Sequence, residues 1–409
     1  MSALALFHGV SLRCVFAGQK LTLCYGSTNS IDGTGALGDG ATHWTDALSA
    51  CIEALRSSRK GTSGGEREAT LRVYVNILRH HYAASLVAPH ARELLTAFLR
   101  SVKVETSARE ACMALKALSV TFVTCPDAEL AGTAAATLRR AAADSGAAAV
   151  KVEALHALGV AVFFGCGDDG DDGEAQDALD FLLDVASSEG ASVGAPDNAD
   201  VVAAALEEWG VLATRVEDMQ DASPEAVEAC VEQLGAGDVD VQVAAGEAIA
   251  LLFEKSYTEA ESDDEVESGD DDDGDGRARR TMVKRYDPAR NRGQLMAVLD
   301  ELARLSSKGV SKRDRKTLRT SFADVRQTVE YPTRGPRYSA ALNDDDDGRH
   351  YGSRLTVRAG SGGKGRLTID RWWKLLRLKA LQRVLQGGFQ QHYEQNTVVI
   401  GCLPLIVGR

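Results

Sequence analysis

The 409-residue chain is short of aromatic side chains, 6% of the total, and holds no C-x-x-C pair, no clustered histidines and no N-x-[ST] acceptor. Few aromatics beside 44% hydrophobic residues and abundant alanine favour packed helices over sheets. Eight scattered cysteines (14, 24, 51, 112, 125, 166, 230, 402) lack metal-ligand spacing, which excludes a structural zinc site and points to a reducing compartment, nucleus or cytoplasm. The terminal apolar runs fall short of membrane signals. Ala3–Phe7 is brief with no Lys or Arg before it, and Thr397–Gly408 is too short for a bilayer and carries Pro404. No membrane partner is expected.

Chemistry is absent as well. There is no H-E-x-x-H. Gly360-Ser-Gly-Gly-Lys364-Gly365 lacks the Ser/Thr after its lysine, the glycine spacing and a preceding strand that a phosphate loop requires. His80 and His81 are adjacent, and neighbours on a helix point about 100° apart, a poor arrangement for sharing a metal. His156 sits in an Ala/Leu-rich segment and reads as a packed histidine. Paired carboxylates crowd the loops, where little desolvation is available to tune them. No catalytic residue, cofactor, metal or small-molecule substrate is therefore expected, and the chain reads as a non-enzyme.

What is present is charge, unevenly placed. The formal net charge is -13, yet residues 277–409 carry 28 Lys and Arg against 12 Asp and Glu, a net of +16, leaving -29 on the first 276. An acidic front and a basic back imply mutual shielding or a polyanionic partner for the basic part.

Residues 1–40 show no clear period and are expected to be a disordered or non-conserved N-terminus. From 42 to 257 the pattern is helical. Arg67-Glu-Ala-Thr-Leu and Arg109-Glu-Ala-Cys-Met are similar at an offset of 42, and Val152-Glu-Ala-Leu repeats the theme 43 residues later. Val201–Ala213 and Val241–Phe253 are Ala-rich and apolar nearly all round. Amphipathic runs Ala88–Leu99, Asp127–Ala142, Ala175–Ala186 and Ser223–Leu234 alternate with them. A helical unit recurring every ~40–47 residues predicts an all-α fold, an armadillo/HEAT-like superhelix whose units bury their faces only by stacking. Ser107 with Glu110 reads as a capping box, and Ser223 as a cap before Pro224.

The array is expected to stop at Glu254. Residues 258–290 read as a disordered linker, acidic and then basic. Ser262 and Ser268 lie beside Asp and Glu there, a context for acid-directed phosphorylation. Residues 291–330 close the repeat region. Within them Lys308, Lys312, Arg313, Arg315, Lys316, Arg319 and Arg326 cluster on one helix whose other stripe is Leu318, Phe322, Val325 and Val329. Such a helix docks its apolar edge and offers the cationic one to a protein partner or a polyanion. Residues 331–366 read as a flexible loop, 367–397 as a last helical block, and 398–409 as a tail. In the block, capped by Thr368 or Asp370, Trp372, Trp373, Leu378, Leu381, Leu385 and Phe389 form the docking face.

Two stretches carry a resemblance. Lys312-Arg-Asp-Arg-Lys-Thr-Leu-Arg-Thr-Ser-Phe-Ala-Asp-Val-Arg-Gln-Thr-Val-Glu330 resembles the signature closing the N-terminal region of the interferon-related developmental regulator family. Ile369-Asp-Arg-Trp-Trp and Val384-Leu-Gln-Gly-Gly-Phe-Gln-Gln-His-Tyr-Glu-Gln-Asn396 resemble that family's short C-terminal block. The resemblance implies an armadillo-type scaffold acting in transcription regulation through protein partners, or alternatively a ribosome- or RNA-associated translation regulator using the basic helix. On the first reading the concave face of the array binds a partner's peptide or helix, and its acidity favours a basic one.

Overall fold

The structure is a computed structural model. It describes residues 13–16, 19–22, 40–57, 64–165, 173–260, 282–304, 311–336, 355–359 and 365–404. Two short antiparallel strands, β1 (Arg13–Phe16) and β2 (Gln19–Thr22), precede the helices. Then come α1 (Gly40–Arg56) and α2 (Gly64–His80), the single-turn α3 (Ala84–Val87), α4 (Ala91–Val104) and α5 (Ala108–Thr124), α6 (Ala128–Asp144) and α7 (Ala148–Gly165), and α8 (Gly173–Ser187) and α9 (Ala199–Ala213). The series ends with α10 (Ser223–Gln233) and α11 (Val239–Lys255), then α12 (Arg292–Arg304) and α13 (Lys312–Glu330). Leaving α3 aside, each consecutive pair packs as an α-hairpin, and the six hairpins stack in order. The fold is an all-α helical repeat. The three similar sequence segments become α2, α5 and α7, neighbours in one layer.

That inner layer runs α2, α5, α7, α9, α11, α13, each touching the next. Its members pack more closely than α1, α4, α6, α8, α10 and α12 of the outer layer, so it lies inside the curve of the stack. The two layers enclose one continuous apolar core with Leu115, Leu158, Trp209 and Phe253 fully buried. Inner helices are apolar nearly all round because they are covered on several sides. The 18-residue α7 is apolar and long enough to cross a membrane, but most of it is buried inside the array.

Buried cations join neighbouring hairpins. Lys151 on α7 donates to the carbonyls of Ala142, Ala143 and Val193 at 3.0, 2.7 and 2.6 Å, placing a positive charge at the C-terminal end of α6, where free carbonyls accumulate. Arg67 on α2 donates to Ser101 Oγ at 3.0 Å and to the carbonyls of Leu55 and Ala97. Helix starts are capped by Ser107, Asp127, Asn198 and Asp238. Ser107 Oγ accepts from the Glu110 N–H at 3.1 Å, and the Glu110 carboxylate lies 3.8 Å from Arg67. Ser223 is the first residue inside α10 rather than its cap, a position held by Ala222.

The structure corrects several sequence expectations. The array continues past Glu254, because α13 stacks on α11. Part of the expected 258–290 linker is ordered: β3 (Tyr257–Glu259) pairs antiparallel with β4 (Met282–Lys284), and Ala289 is buried. Ser262 and Ser268 lie outside the described residues. In the expected loop 331–366, Pro332, Gly335 and Pro336 are buried, and β5 (Leu355–Ala359) pairs with β6 (Gly365–Ile369) across the Gly-rich run. A strand therefore does precede that run, but another strand follows it, so no helix N-terminus is there to receive phosphate. The expected tail includes α16 (Thr397–Cys402), with Val399, Cys402 and Leu403 buried. Strands of three to five residues and a six-residue helix are too short to leave a period in the sequence.

Candidate interaction surfaces

Two surfaces stand out, both built around basic helices. On α13 the stripe Leu318, Phe322, Val325 and Val329 is buried against α11 and α12. Gly246 of α11 makes the approach feasible, since a Cβ there would sit 2.8 Å from Phe322 Cε1. Arg292 caps the far end by donating to the carbonyls of Val329 and Glu330. Lys316 and Arg319 are exposed three positions apart on one edge, Arg315 beside them is half-buried, and among the described residues none has an ion-pair partner. Arg326 differs: it pairs with Asp300 and with Glu330 at 3.0 Å, and the hydrogen bond to Asp300 holds its pKa up. Lys312 and Arg313 belong to the first turn of α13, their side chains lying outside what is described; Lys308 lies outside the described residues altogether.

The second surface is the free face of the inner layer, and it is filled. After β6 the chain forms α14 (Trp372–Leu385), a 3-10 turn, α15 (Phe389–Gln395) and α16, which run back across the array from α11 and α13 over α9 and α5 to α2. Trp372, Leu378, Leu381, Leu385 and Phe389 are buried, while Trp373 lies half-exposed at the rim. The Trp372 indole N–H donates to Thr328 Oγ1 on α13 at 2.7 Å. Arg377 stands over the rings of Trp373 and Phe163, at 4.9 and 5.2 Å.

Beneath α14 lies a row of carboxylates. Glu254 accepts from the backbone N–H groups of Trp372 and Trp373 at 2.9 and 3.2 Å. It caps α14 from another helix, so neither Thr368 nor Asp370 serves as the cap; Asp370 pairs instead with Lys374. Burial pushes the Glu254 carboxyl up to about 7, opposed by Arg371 and by the two N–H bonds. Glu247 pairs with Lys379, and Glu207 with Arg383 at 2.7 Å. Glu208, fully buried, meets Arg383 and lies 2.9 Å from His156 Nδ1. Burial, and then the Arg383 charge, hold His156 well below its ordinary value, so the ring is neutral and donates to Glu208.

The far end is fixed by polar contacts to main chain. Arg79 Nε donates to the Val384 carbonyl at 2.9 Å, His392 Nε2 to that of Leu78 at 2.7 Å, and Asn396 Nδ2 to that of Val123 at 2.8 Å. Gly388 lies on α2 so closely that a Cβ would come 1.5 Å from the Arg79 carbonyl oxygen. Among the described residues no three His, Cys, Asp or Glu side chains converge on a metal position.

With this geometry established, comparison with known proteins places the chain. The profile of the interferon-related developmental regulator (IFRD) family matches residues 22–330, from the end of β2 through the last residue of α13. The chain belongs to the interferon-related developmental regulator family. An uncharacterized protein of Schizosaccharomyces pombe is 32% identical over 223 residues, 54% of this chain and 44% of that protein. The chain thus spans less than half the length of that relative. The IFRD match covers all six hairpins and ends before the segment that fills the groove.

Sequence reasoning singled out the apolar side of α14 and missed its counterpart, Glu207, Glu208, Glu247 and Glu254, together with Lys379 and Arg383. A signal was there. An acid inside the all-round apolar segments Val201–Ala213 and Val241–Phe253 is costly to bury without a cation, and the Leu-rich block supplies basic residues on a helix that needs a partner.

Proposed function

We propose that this IFRD-family protein is a non-enzymatic regulatory scaffold, working in the nucleus or cytoplasm through protein partners, as in transcriptional co-regulation. Its outward contact is the cationic edge of α13. The observation that carries this reading is that Lys316 and Arg319 are exposed, with Arg315 half-buried beside them, all without ion-pair partners among the described residues, while the apolar stripe of the same helix is docked. The array holds the α13 backbone in place, so its cations form a row rather than a mobile tail, and a partner with an anionic surface meets them without the cost of ordering a backbone.

The same exposed row supports a second reading, a ribosome- or RNA-associated regulator of translation, because phosphate contacts need only such cations. Purification of the tagged protein with and without nuclease separates the two. Regulatory proteins that survive nuclease and disappear from Arg315→Glu/Lys316→Glu/Arg319→Glu support the scaffold. Ribosomal proteins lost on nuclease treatment support the alternative. A charge-reversed protein that retains every partner removes α13 from both.

A further inference from the structure

The groove that a helical-repeat scaffold would offer to a partner is occupied by the protein's own C-terminal helix. We propose that the inner face along α9 and α11 is a helix-binding site closed in cis by α14, and that its ligand in trans is a partner's amphipathic helix with two basic residues four apart and a bulky aromatic residue about two turns ahead of them. This deepens the scaffold reading by naming a second surface, and it rests on that reading only in requiring a protein partner.

Three features of the site carry the inference. First, its floor is chemically specific. Glu207 and Glu208 of α9 and Glu247 and Glu254 of α11 all face the occupant, and no Lys or Arg of α9 or of α11 before its last residue offsets them. Glu208 is held there by construction, for it lies against Gly159 of α7, where a Cβ would fall 2.0 Å from its Oε2. Second, the occupant displays the matching pattern: Lys379 and Arg383 four apart over Glu247 and the Glu207–Glu208 pair, with Trp372 two turns earlier over α13. That is how a helix is read in a groove, by anchors on one face and charges along an edge.

Third, the cis match is incomplete. The fully buried Glu208 keeps Oε2 without a hydrogen-bond partner, and Arg383, which meets its other oxygen, leaves Nε unpaired. Buried polar groups are nearly always satisfied, so this pair marks a position where a better-fitting helix gains what α14 does not. Nor does the array depend on α14 to stack, because α2, α5, α7, α9, α11 and α13 touch one another directly. A tethered helix competes at an effective concentration near the millimolar range, so a partner at micromolar levels must bind far more tightly than an untethered copy of α14. The closed state is therefore a selectivity filter as well as a plug.

The test uses the full chain. Lys379→Glu/Arg383→Glu weakens the plug without altering the floor, and a fluorescent peptide of residues 370–396 serves as the probe. The peptide is expected to bind this variant at least tenfold more tightly than the unaltered chain, by anisotropy, and to lose binding when its own Lys379 and Arg383 are replaced by Glu. Equal binding to both chains, or binding indifferent to the peptide's charges, overturns the proposal. So does dimerisation of the variant in sedimentation, which makes a second copy the occupant. Should the variant fail to fold, hydrogen exchange on the unaltered chain decides: α14 amides exchanging at least tenfold faster than those of α9 and α11 support the plug, and exchange only with global unfolding refutes it. Charge reversal on α13 leaves this assay unchanged, so its failure is distinguishable from failure of the scaffold reading.

Discussion

The two basic helices α13 and α14 are alike in composition and opposite in use. Each carries several Lys and Arg beside an apolar stripe, and each lies on the inner layer. Under α13 the array presents Gly246 and apolar side chains, so Lys316 and Arg319 remain in water. Under α14 it presents four carboxylates, so Lys379 and Arg383 turn inward; burial pulls the Arg383 guanidinium below its ordinary value even so. The fate of a basic helix is decided by the charge of the surface beneath it rather than by its own count of cations. If that is right, changes on α14 act on the docking of the C-terminal block and changes on α13 act on partner capture.

The largest expected effect tests the α14 half. Trp372 is one of the largest buried side chains, with its indole N–H satisfied by Thr328. Trp372→Ala should cost about 3–5 kcal/mol, the range for emptying a large aromatic site, measured as a midpoint shift in chemical denaturation of the full chain. A shift no larger than that of an exposed residue would show α14 to be loosely seated.

Next come two glycines at close contacts, Gly388 in the turn after α14 and Gly246 beneath α13. A Cβ at Gly388 meets the Arg79 backbone at 1.5 Å, whereas one at Gly246 meets the rim of the Phe322 ring at 2.8 Å. Backbone cannot yield as a ring can. Gly388→Ala should therefore lift α15 off α2 at a cost of about 1–3 kcal/mol. Gly246→Ala should lose less, because alanine returns up to ~1 kcal/mol of helix propensity. The ordering of the two melting temperatures checks this.

Much of the array was legible in the sequence, and the groove was not. The 42- and 43-residue offsets located α2, α5 and α7 because burial on several sides forces Ala-rich, apolar segments that recur with each hairpin. The buried stripe of α13 could be read from Leu318, Phe322, Val325 and Val329 for the same reason. The pairing of Glu247 with Lys379 spans 132 positions, and no local period encodes a contact that depends on the chain folding back over its own stack. The cap of α14 was misplaced on Thr368 or Asp370 because it comes from Glu254, on a different helix. Short strands such as β3 and β4 left no trace, since three residues cannot display alternation.

A smaller effect follows from Glu254, whose carboxyl is raised from 4.5 to about 7 by burial, against the Arg371 charge and helped by Asp370. A raised folded-state value means that stability is complete below pH 4.5 and is lost as pH climbs through about 7. The loss is at most ~1.4 kcal/mol per unit. His392 acts in the other direction: burial lowers its value, so the neutral ring contributes above 6.5 and fails as pH falls. Docking of the C-terminal block should thus weaken between pH 5 and 7.5 in the unaltered protein and lose most of that slope in Glu254→Gln, as read from melting temperature against pH.

The smallest effect compares two cations on α13 itself. Arg326 is tied to Asp300 and Glu330, and Arg319 is tied to no described ion pair. Arg326→Ala should cost up to ~1 kcal/mol, the ceiling for a partly exposed pair, and its cost should shrink in high salt. Arg319→Ala should stay within ~0.5 kcal/mol of the parent at any salt concentration and yet reduce partner capture. Opposite rankings in the two assays are what a helix with one edge anchored and one edge offered must give. If Arg319→Ala proved the more destabilising, its guanidinium would have a structural partner, and the cationic edge would no longer be free to bind.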